Sequence, residues 1–462
     1  MGIPTAALIS AVFALWWDCG NIHSFHNADD LVPVMASLWH WTPFYWGEDR
    51  FGMPLGLLAS LFHNPLTNLL VQNWMSAFLG FLGLALLPAC VAGKPGISAG
   101  ILTAGIFIAL APDQALYGWF GTGQCYGTAM GFGAAALALV NSTDNPGKAR
   151  ITASALLVFL SIWTNTAMIL ILAPLALWLA RRKGMGRTAA IFLALTAIAS
   201  FCLVRTAMRP AEYTRTYSII PPGGWVAAWG TMAGAIWAGL LRWKMAAVLG
   251  AALAAGTAAA IILRQARNNI PGAVALIASG GVYFGVTAII GWVASRSGDS
   301  RYTLPVLALL SASAGLMVPA ITGLNRARLA ALLLFPFIAT GIRAGLPYPP
   351  GVRPALDRSI GTATPEIIQR GVTHVAGDYT RVWPAVFHAN MALYGTVPDR
   401  TVWALTARNA QTRALWDRSD RRAWRIAVLR GDTGLTPWSP QLKGARETAR
   451  TRTITVFRAA VK

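Results

Sequence analysis

Residues 66–92 read LTNLLVQNWMSAFLGFLGLALLPACVA, an apolar run without one charged side chain. A helix needs about 17 to 25 such residues to cross the hydrocarbon core of a bilayer, so this run predicts a transmembrane helix. The whole chain of 462 residues has the same character, because 55% of its residues are hydrophobic, 12% are charged and its mean hydropathy is +0.51. This composition is typical of polytopic membrane proteins and argues against a string of ordinary soluble domains.

Apolar runs recur up to residue 345 and predict about eleven transmembrane helices in all. The predicted spans are 2–17, 66–92, 97–112, 124–140, 150–163, 165–180, 188–208, 243–263, 271–294, 302–323 and 328–345. Two segments leave alternatives open. The break at 163–165 either separates two spans or kinks one long helix, and residues 225–241 form either a further span or a helix in the outer interface.

The loops between the spans give the orientation, because Lys and Arg favour the cytoplasmic side. With the N-terminus inside, every predicted cytoplasmic loop is basic. These loops carry Lys94, Lys148 with Arg150, Arg181 to Lys183 with Arg187, Arg264 with Arg267, and Arg326 with Arg328. The interfacial interpretation of 225–241 preserves this pattern, and we adopt it. A membrane region, 1–345, then has its outer loops at 18–65, 113–123, 209–242 and 295–301.

The composition changes after residue 345, and residues 346–462 contain no run long enough to cross a membrane. Four β-rich stretches, at 371–378, 401–407, 424–430 and 453–459, alternate with helical patterns such as 384–393. The fold class predicted for the whole chain is therefore an α-helical polytopic membrane protein that carries a small C-terminal soluble α/β domain on its outer side.

The charge balance raises the question of a nucleic-acid partner, since 38 Lys and Arg face 17 Asp and Glu, a formal net charge of +21. Many of these basic residues lie in the predicted cytoplasmic loops and no nucleic-acid motif is present, so we expect no such partner. Of the four cysteines, Cys19 and Cys125 both fall at the predicted outer face. A disulfide between them and two separate thiols are both compatible with the sequence.

The first outer loop begins with NADDLVP at 27–33, where Asp29 and Asp30 are adjacent. One interpretation is structural: an interfacial helix over 31–40 that one of the two carboxylates caps. The sharper interpretation keeps that cap and makes the other carboxylate a general base toward an acceptor hydroxyl. The same loop contains Trp46, which suits packing on a sugar, and His26 and Glu48. His26 is either an acceptor contact or a plain polar interface residue, and Glu48 either recognises an acceptor or forms a local ion pair with Arg50. The spacing of its histidines and acids matches no compact metal site, and the need for a divalent cation stays open.

Two later outer loops carry the remaining candidates. In the second, Asp113 and Tyr126 flank a glycine-rich, aromatic stretch that suits a sugar-binding cleft, although Asp113 is equally a plain helix-end residue. In the last, Arg296, Arg301 and Tyr302 lie outside, against the positive-inside trend. The planar guanidinium fork of arginine matches phosphate, so a phosphate on a lipid carrier is the expected partner, with a surface ion pair as the alternative for Arg301.

With these residues in place, the chain resembles the GT-C superfamily of integral-membrane glycosyltransferases. The resemblance rests on the first span, the long outer loop with Asp29-Asp30 near its start, the late SRYTLP motif at 300–305 and a soluble outer domain. It implies that Asp29 is catalytic and Asp30 supports it. The tail segment GDYTRVWP at 377–384 also resembles outer-domain segments of bacterial members, without an implied role.

The function that this resemblance implies is inverting transfer of a hexose or pentose from a polyprenyl-phosphate donor. The acceptor would be a glycan, a lipid or a protein at the outer face of a bacterial inner membrane. Two alternatives involve no catalysis. One is a transporter or flippase, which would bind the same lipid-linked sugars, and the other is a non-catalytic membrane scaffold. Transporters place ionisable residues at mid-membrane in repeated halves, whereas here the acids cluster at one face.

Overall fold

A computed structural model of the chain describes residues 3–21, 28–46, 51–92, 97–111, 113–123, 125–143, 145–181, 185–207, 218–241, 269–295, 300–321, 338–342, 345, 348–397, 400–406, 423–431 and 445–458. The chain divides into two compact units. The first comprises Met1–Trp17, Trp74–Met208 and Arg215–Leu346, and the second comprises Asp18–Asn73, Arg209–Thr214 and Pro347–Lys462. Residues 18–65, the predicted first outer loop that the sequence assigned to the membrane region, thus group by packing with the C-terminal residues.

Helices dominate the part of the chain that the structure describes. In chain order they are α1 (Ile3–Asn21), α2 (Ala28–Trp39), α3 (Pro54–Ala59), α4 (Pro65–Ala92), α5 (Ile97–Leu110), α6 (Asp113–Phe120), α7 (Tyr126–Asn141), α8 (Lys148–Thr164), α9 (Ile169–Leu179), α10 (Met185–Ala207), α11 (Trp225–Leu241), α12 (Ile270–Ala288), α13 (Gly291–Ala294), α14 (Leu304–Ile321), α15 (Val352–Ile360), α16 (Thr364–Gln369) and α17 (Tyr379–Leu393). Short 3-10 helices cover Thr166–Met168, Pro222–Gly224, Ser300–Thr303 and Pro349–Gly351.

The membrane-spanning character predicted from the sequence is confirmed. Among the described residues, three helices are long and apolar enough to cross a bilayer: Pro65–Ala92, Gly186–Ala207 and Ile270–Ala288. Shorter apolar helices cover Ile3–Asp18, Ala99–Leu110, Thr166–Leu179 and Arg301–Met317. The chain is therefore a multi-pass membrane protein. The span at 243–263 and most of the one at 328–345 lie outside the described residues, so the number eleven stays a prediction.

The break predicted at 163–165 separates two helices. Helix α8 ends at Thr164, and Asn165 is extended, with φ −150° and ψ 107°. The side chain of Asn165 then accepts a hydrogen bond from the backbone N–H of Ala167 at 3.1 Å, which caps the 3-10 helix that leads into α9. A kinked continuous helix would keep helical dihedrals at Asn165, so the two-helix alternative holds. By contrast, the span predicted at 271–294 is interrupted, because α12 ends at Ala288 and the short α13 follows.

Close helix packing in the first unit depends on two glycines of α7 that lie one turn apart. A Cβ at Gly131 would meet the carbonyl oxygen of Leu79 in α4, and one at Gly127 would meet the carbonyl oxygen of Trp119 in α6. The missing side chains let the backbones approach within a distance that any other residue would prevent. This small-xxx-small spacing brings α7 against both neighbours and holds α6 in the first unit.

The second unit contains the predicted α/β domain. Its strands are β1 (His374–Ala376), β2 (Trp403–Leu405), β3 (Arg425–Leu429), β4 (Arg446–Arg450) and β5 (Ile454–Arg458). They form a sheet in the order β2-β1-β3-β5-β4. Strand β1 pairs in parallel with β2 and β3, whereas β5 pairs antiparallel with β3 and β4. The four predicted β-rich stretches each contain one of these strands, and the predicted helix at 384–393 lies within α17.

The sequence missed only one strand of the described sheet, the edge strand β4. It reads RETAR and is largely exposed, with a break in pairing register between Glu447 and Ala449. A short, charged, irregular edge protects a sheet from pairing with another chain, but the same features remove the hydrophobic alternation that marks a strand in a sequence.

The central strand β1 buries a histidine. His374 is 2% exposed, its ring lies 4.3 Å from that of Trp424, and its Nδ1 is 2.9 Å from the hydroxyl of Thr373. Burial disfavours the charged imidazolium and lowers the pKa of His374 from 6.5 to about 3. Burial also lowers the pKa of His388, although the Asp357 carboxylate at 2.9 Å opposes that shift.

We expect the C-terminal sheet to lose stability in acid. The unfolded chain protonates His374 below about pH 6.5 while the folded chain does so only near pH 3. The contribution of neutral His374 to stability is therefore complete above about pH 6.5, and below that pH it falls by on the order of 1.4 kcal/mol for each pH unit.

Hydrogen exchange at Val375 and Ala376 in the full-length protein, corrected for intrinsic rates, should show less protection at pH 5 than at pH 7. His374→Phe should reduce this difference and the exposed-site control His63→Gln should not. An undiminished difference in His374→Phe would contradict the assignment.

Candidate functional site

Both acids of the predicted pair lie in the first turn of α2. The helix begins at Ala28, so the sequence prediction of a helix over 31–40 with an aspartate at its cap is corrected: neither acid is the cap residue. Carboxylates are favourable here because the unpaired N–H groups give a helix N-terminus a partial positive charge. Asp30 is buried, at 1% exposure, whereas Asp29 remains partly exposed. Of the two, Asp29 is the one that a substrate can reach.

The backbone of Asp29 is held by a tyrosine from the following loop. Pro33 lies inside α2 and has no N–H to donate to the carbonyl of Asp29, four residues earlier. The hydroxyl of Tyr45 donates to that carbonyl at 2.6 Å and replaces the missing helical hydrogen bond. The carbonyl of Pro33 in turn accepts from Nε2 of Gln72 at 3.3 Å. Tyr45 thus holds the backbone of Asp29 at the point where Pro33 removes the helical hydrogen bond.

The carboxylate of Asp29 is held by the C-terminal residues. The hydroxyl of Tyr379 donates to Oδ1 of Asp29 at 2.6 Å. Tyr379 is the first residue of α17, and the preceding Asp378 caps that helix by accepting from the N–H of Thr380 at 2.9 Å. A short hydrogen bond to an ionised group restrains its plane and stabilises its charge. Sequence reasoning missed Tyr379; its only signal was the GDYTRVWP segment.

Four tryptophans from α2, α17, β2 and the loop after α2 pack together within the second unit. Trp39 lies 6.5 Å from Trp46, 6.2 Å from Trp383 and 4.7 Å from Trp403, measured between ring centroids. Trp46 is fully buried, and its ring is also 6.2 Å from that of Trp383. This tryptophan cluster joins α2 to α17 and β2, and its burial holds Asp29 and Tyr379 together. Trp46, predicted to pack on a sugar, is a core residue of the cluster in this conformation.

The first unit holds the arginine-tyrosine motif. Ser300–Thr303 forms a 3-10 helix that leads into α14 and packs against α6 and α11. Tyr302 is 6% exposed and its hydroxyl accepts from Nε1 of Trp292 at 2.9 Å, so its ring anchors the motif. Arg301 is half-buried, with Cζ 5.5 Å from the centroid of the Tyr302 ring. Because α6 covers most of residues 113–123, the predicted second outer loop packs against the arginine-tyrosine motif in this unit.

The other predicted site residues are placed less completely. His26, Glu48 and Arg296 lie outside the described residues, and Asp113 is described only as the first residue of α6. Tyr126 is 4% exposed at the start of α7. It follows Cys125, whose φ of 58° is left-handed and whose Sγ donates to the carbonyl of Thr122 at 3.5 Å as a thiol. Over the described ranges, no group of three or more His, Cys, Asp or Glu side chains forms a metal site.

Comparison with solved protein structures identifies the fold of the chain. Over 98% of its length the chain superposes on 96% of the crystal structure of ArnT from Cupriavidus metallidurans in the apo state, with a TM-score of 0.53 and 14% sequence identity. The chain has the GT-C fold. The cryo-EM structure of the mycobacterial arabinofuranosyltransferase AftD is similar at a TM-score of 0.44 and 13% identity, over the whole of this chain and 40% of that one. No family model matches the sequence, and no curated protein matches it.

The chemistry available to this chain follows from its described side chains. Asp29 supplies a restrained, partly exposed carboxylate, which can accept a proton from a hydroxyl group within hydrogen-bond reach. Arg301 supplies a guanidinium, which can bind and stabilise an anionic oxygen.

Proposed function

We propose that the protein is an inverting glycosyltransferase that moves a hexose or pentose from a polyprenyl-phosphate donor to an acceptor outside the cytoplasm. The observation that carries the proposal is the Asp29 carboxylate, partly exposed at the start of α2 and oriented by Tyr379. The GT-C fold supports the same conclusion. An oriented carboxylate at a fixed helix start has the features of a general base rather than of a surface charge.

In the proposed reaction an acceptor hydroxyl attacks the anomeric carbon of the donor sugar. Asp29 takes the hydroxyl proton on its carboxylate while the new carbon–oxygen bond forms, and the bond between the anomeric carbon and the phosphate oxygen breaks. The polyprenyl phosphate leaves with the electron pair of that bond. One displacement inverts the anomeric centre. Tyr379 keeps the carboxylate plane fixed, and buried Asp30 supports the turn that carries it.

The donor phosphate is assigned to Arg301, with Arg296 and Tyr302 as helpers. A guanidinium strengthens its hydrogen bonds as negative charge develops on the leaving phosphate, which lowers the energy of the transition state more than that of the bound donor. Sugar and acceptor contacts are assigned to Asp113, Tyr126, Trp46, His26 and Glu48. For buried Trp46 and Tyr126, such contact requires the surrounding side chains to move on binding.

A donor-turnover assay tests the proposal. The purified protein in detergent is incubated with polyprenyl-phosphate hexose or pentose donors and a crude glycan and lipid acceptor fraction from a bacterial envelope. We expect polyprenyl phosphate to be released and the sugar to appear on an acceptor. Proteoliposomes made with the same donors separate the alternative class, because a flippase moves the donor across the bilayer intact. Transport without release of polyprenyl phosphate would replace this proposal with that one.

The proposed location is the inner membrane of a bacterium, with Asp29 and the C-terminal residues outside the cytoplasm, where the enzyme would serve cell-envelope glycan synthesis. In a variant without native cysteines, Val397→Cys offers an exposed site in the C-terminal residues, since Val397 is 43% exposed. We expect an impermeant maleimide to label it in intact spheroplasts. Ala149→Cys, exposed in a predicted cytoplasmic loop, is the matched control and should react only after lysis. The reverse pattern would invert the topology.

A further inference from the structure

A cavity of about 480 Å³ opens among the C-terminal residues of the second unit. It lies where the first turn of α17, the turn after β3 and the turn between β4 and β5 come together. Each of these segments contributes one arginine: Arg381, Arg430 and Arg452. Hydroxyl groups of Thr380 and Thr453 stand beside them, and alanine and proline side chains provide an apolar wall. The cavity therefore combines cationic, hydroxyl and apolar surfaces on a small concave site.

The charge inside this cavity is positive. No acidic side chain is among the described residues that line it. Two carboxylates that bind lining threonines are already engaged: Asp378 accepts from Thr380, and Glu366 accepts from the hydroxyls of Thr451 and Thr453. Burial raises the pKa of Glu366, but these hydrogen bonds outweigh it and lower the pKa overall, so Glu366 is ionised at neutral pH and bound to its hydroxyls.

One guanidinium of the cavity is fixed in place. Nη2 of Arg381 donates to the carbonyl of Arg430 at 2.9 Å, which ties the first turn of α17 to the turn after β3. A guanidinium has five N–H donors, so this bond uses only one of them. The 15-residue helix α17 begins directly before the lining residues Thr380 and Arg381, and Asp378 caps its N-terminus. Arginines from three separate segments therefore line one cavity, an arrangement that suits an anion.

We propose that this cavity binds an anionic sugar, that is, a sugar unit bearing a phosphate or a carboxylate group. Guanidinium groups pair with both anions through parallel hydrogen bonds, which lysines and neutral donors do not reproduce. The hydroxyl groups and the apolar wall suit the polar edge and the faces of a sugar ring. The volume falls within the range of about 300 to 1,000 Å³ that is usual for small-ligand sites.

The first turn of α17 contributes both to the hydrogen bond with Asp29 and to the lining of the cavity. Tyr379 donates to Asp29, and the next two residues, Thr380 and Arg381, line the cavity. We assign the bound anionic sugar to a part of the acceptor remote from its reacting hydroxyl. That assignment rests on the proposed glycosyltransferase function, whereas the binding of an anionic sugar to the cavity does not.

Calorimetric titration of the full-length protein in detergent tests the site, with glucose 1-phosphate, glucuronate and glucose as probes. We expect saturable binding of one or both anionic sugars, at least tenfold tighter than glucose, and weaker binding at higher salt. The two probes distinguish a phosphate site from a carboxylate site. Arg430→Ala and Arg452→Ala should each weaken binding about tenfold or more, since each removes a charge-assisted pair. Both side chains are exposed, so the fold should survive, and unchanged thermal unfolding checks this.

Arg446→Ala is the matched control, because Arg446 is an exposed arginine of β4 that does not line the cavity. Its binding should equal that of the wild type. An equal loss in Arg446→Ala, equal binding of glucose, or no binding of either anionic sugar would each overturn the proposed site. Asp29→Asn should bind glucose 1-phosphate or glucuronate as the wild type does, because Asp29 does not line the cavity. Binding by a wild-type protein that transfers no sugar would refute the proposed function and leave the cavity site in place.

Discussion

Asp29→Asn is expected to abolish sugar transfer while the protein folds, extracts and binds its donor normally. Asparagine keeps the size of aspartate and can still accept the hydrogen bond from Tyr379 through its amide oxygen. It cannot take a proton from an acceptor at neutral pH. Loss of a general base commonly lowers a rate by about two to four orders of magnitude, and we expect kcat to fall within that range while donor affinity stays within about twofold.

Two matched variants make this prediction specific. Asp30→Asn changes the buried neighbour, at 1% exposure, and should retain measurable transfer even if it lowers stability. Tyr379→Phe keeps the base and removes only the hydrogen bond that restrains it, so its loss of kcat should be smaller than that of Asp29→Asn. Near wild-type transfer by Asp29→Asn together with an inactive Asp30→Asn would move the base by one residue. Full activity in both would refute the mechanism.

Arg301→Ala is expected to weaken donor binding by an order of magnitude or more. Arg301 lies in the 3-10 helix that Tyr302 anchors through Trp292, so its backbone position does not depend on its own side chain. Removal of a charge-assisted hydrogen bond costs about 1.5 to 3 kcal/mol, which corresponds to roughly tenfold to a hundredfold in affinity. Titration of the purified variant with the polyprenyl-phosphate donor gives the dissociation constant directly.

The controls for Arg301 distinguish phosphate recognition from general positive charge. Arg301→Lys keeps the charge but loses the planar fork, and should bind with intermediate affinity. Arg205→Ala removes an arginine from the last turn of α10, at the same predicted face, and should bind the donor as the wild type does. Donor affinity that is unchanged in Arg301→Ala would reduce Arg301 to a surface residue and leave the donor phosphate without its assigned partner.

The helices of the membrane region were predictable because their signal is local. An apolar run such as 66–92 must be a helix in a bilayer, since only internal hydrogen bonds can satisfy its backbone there, and α4 covers Pro65–Ala92. The strands β1, β2, β3 and β5 were predictable for a related reason, because alternating or continuous apolar stretches mark a buried sheet. The edge strand β4 was missed because it faces solvent and has no such pattern.

The grouping of residues 18–65 with the C-terminal residues was not predictable from any local pattern. The tryptophan cluster of Trp39, Trp46, Trp383 and Trp403 unites segments far apart in the chain, and each tryptophan alone suggests only an interface residue. Aromatic side chains gain most by burial against one another, but which ones meet depends on the path of the chain. The sequence therefore placed the domain boundary at 345 and left the loop 18–65 with the membrane region.

The features of the candidate site also divide into those that the sequence could predict and those that required the tertiary structure. Sequence alone placed two adjacent acids near the start of a helix after the first span, although it made one of them the cap, and placed an arginine-tyrosine motif at the opening of a late helix. Helix starts and apolar lengths are set by neighbouring residues, so these features were within reach of the sequence. Only the tertiary structure decided that Asp29 is the accessible acid, that Tyr379 holds it across 350 positions of sequence, and that three arginines share one cavity. A hydrogen bond acts over about 3 Å in space whatever the separation along the chain, and the fold alone brings such partners together.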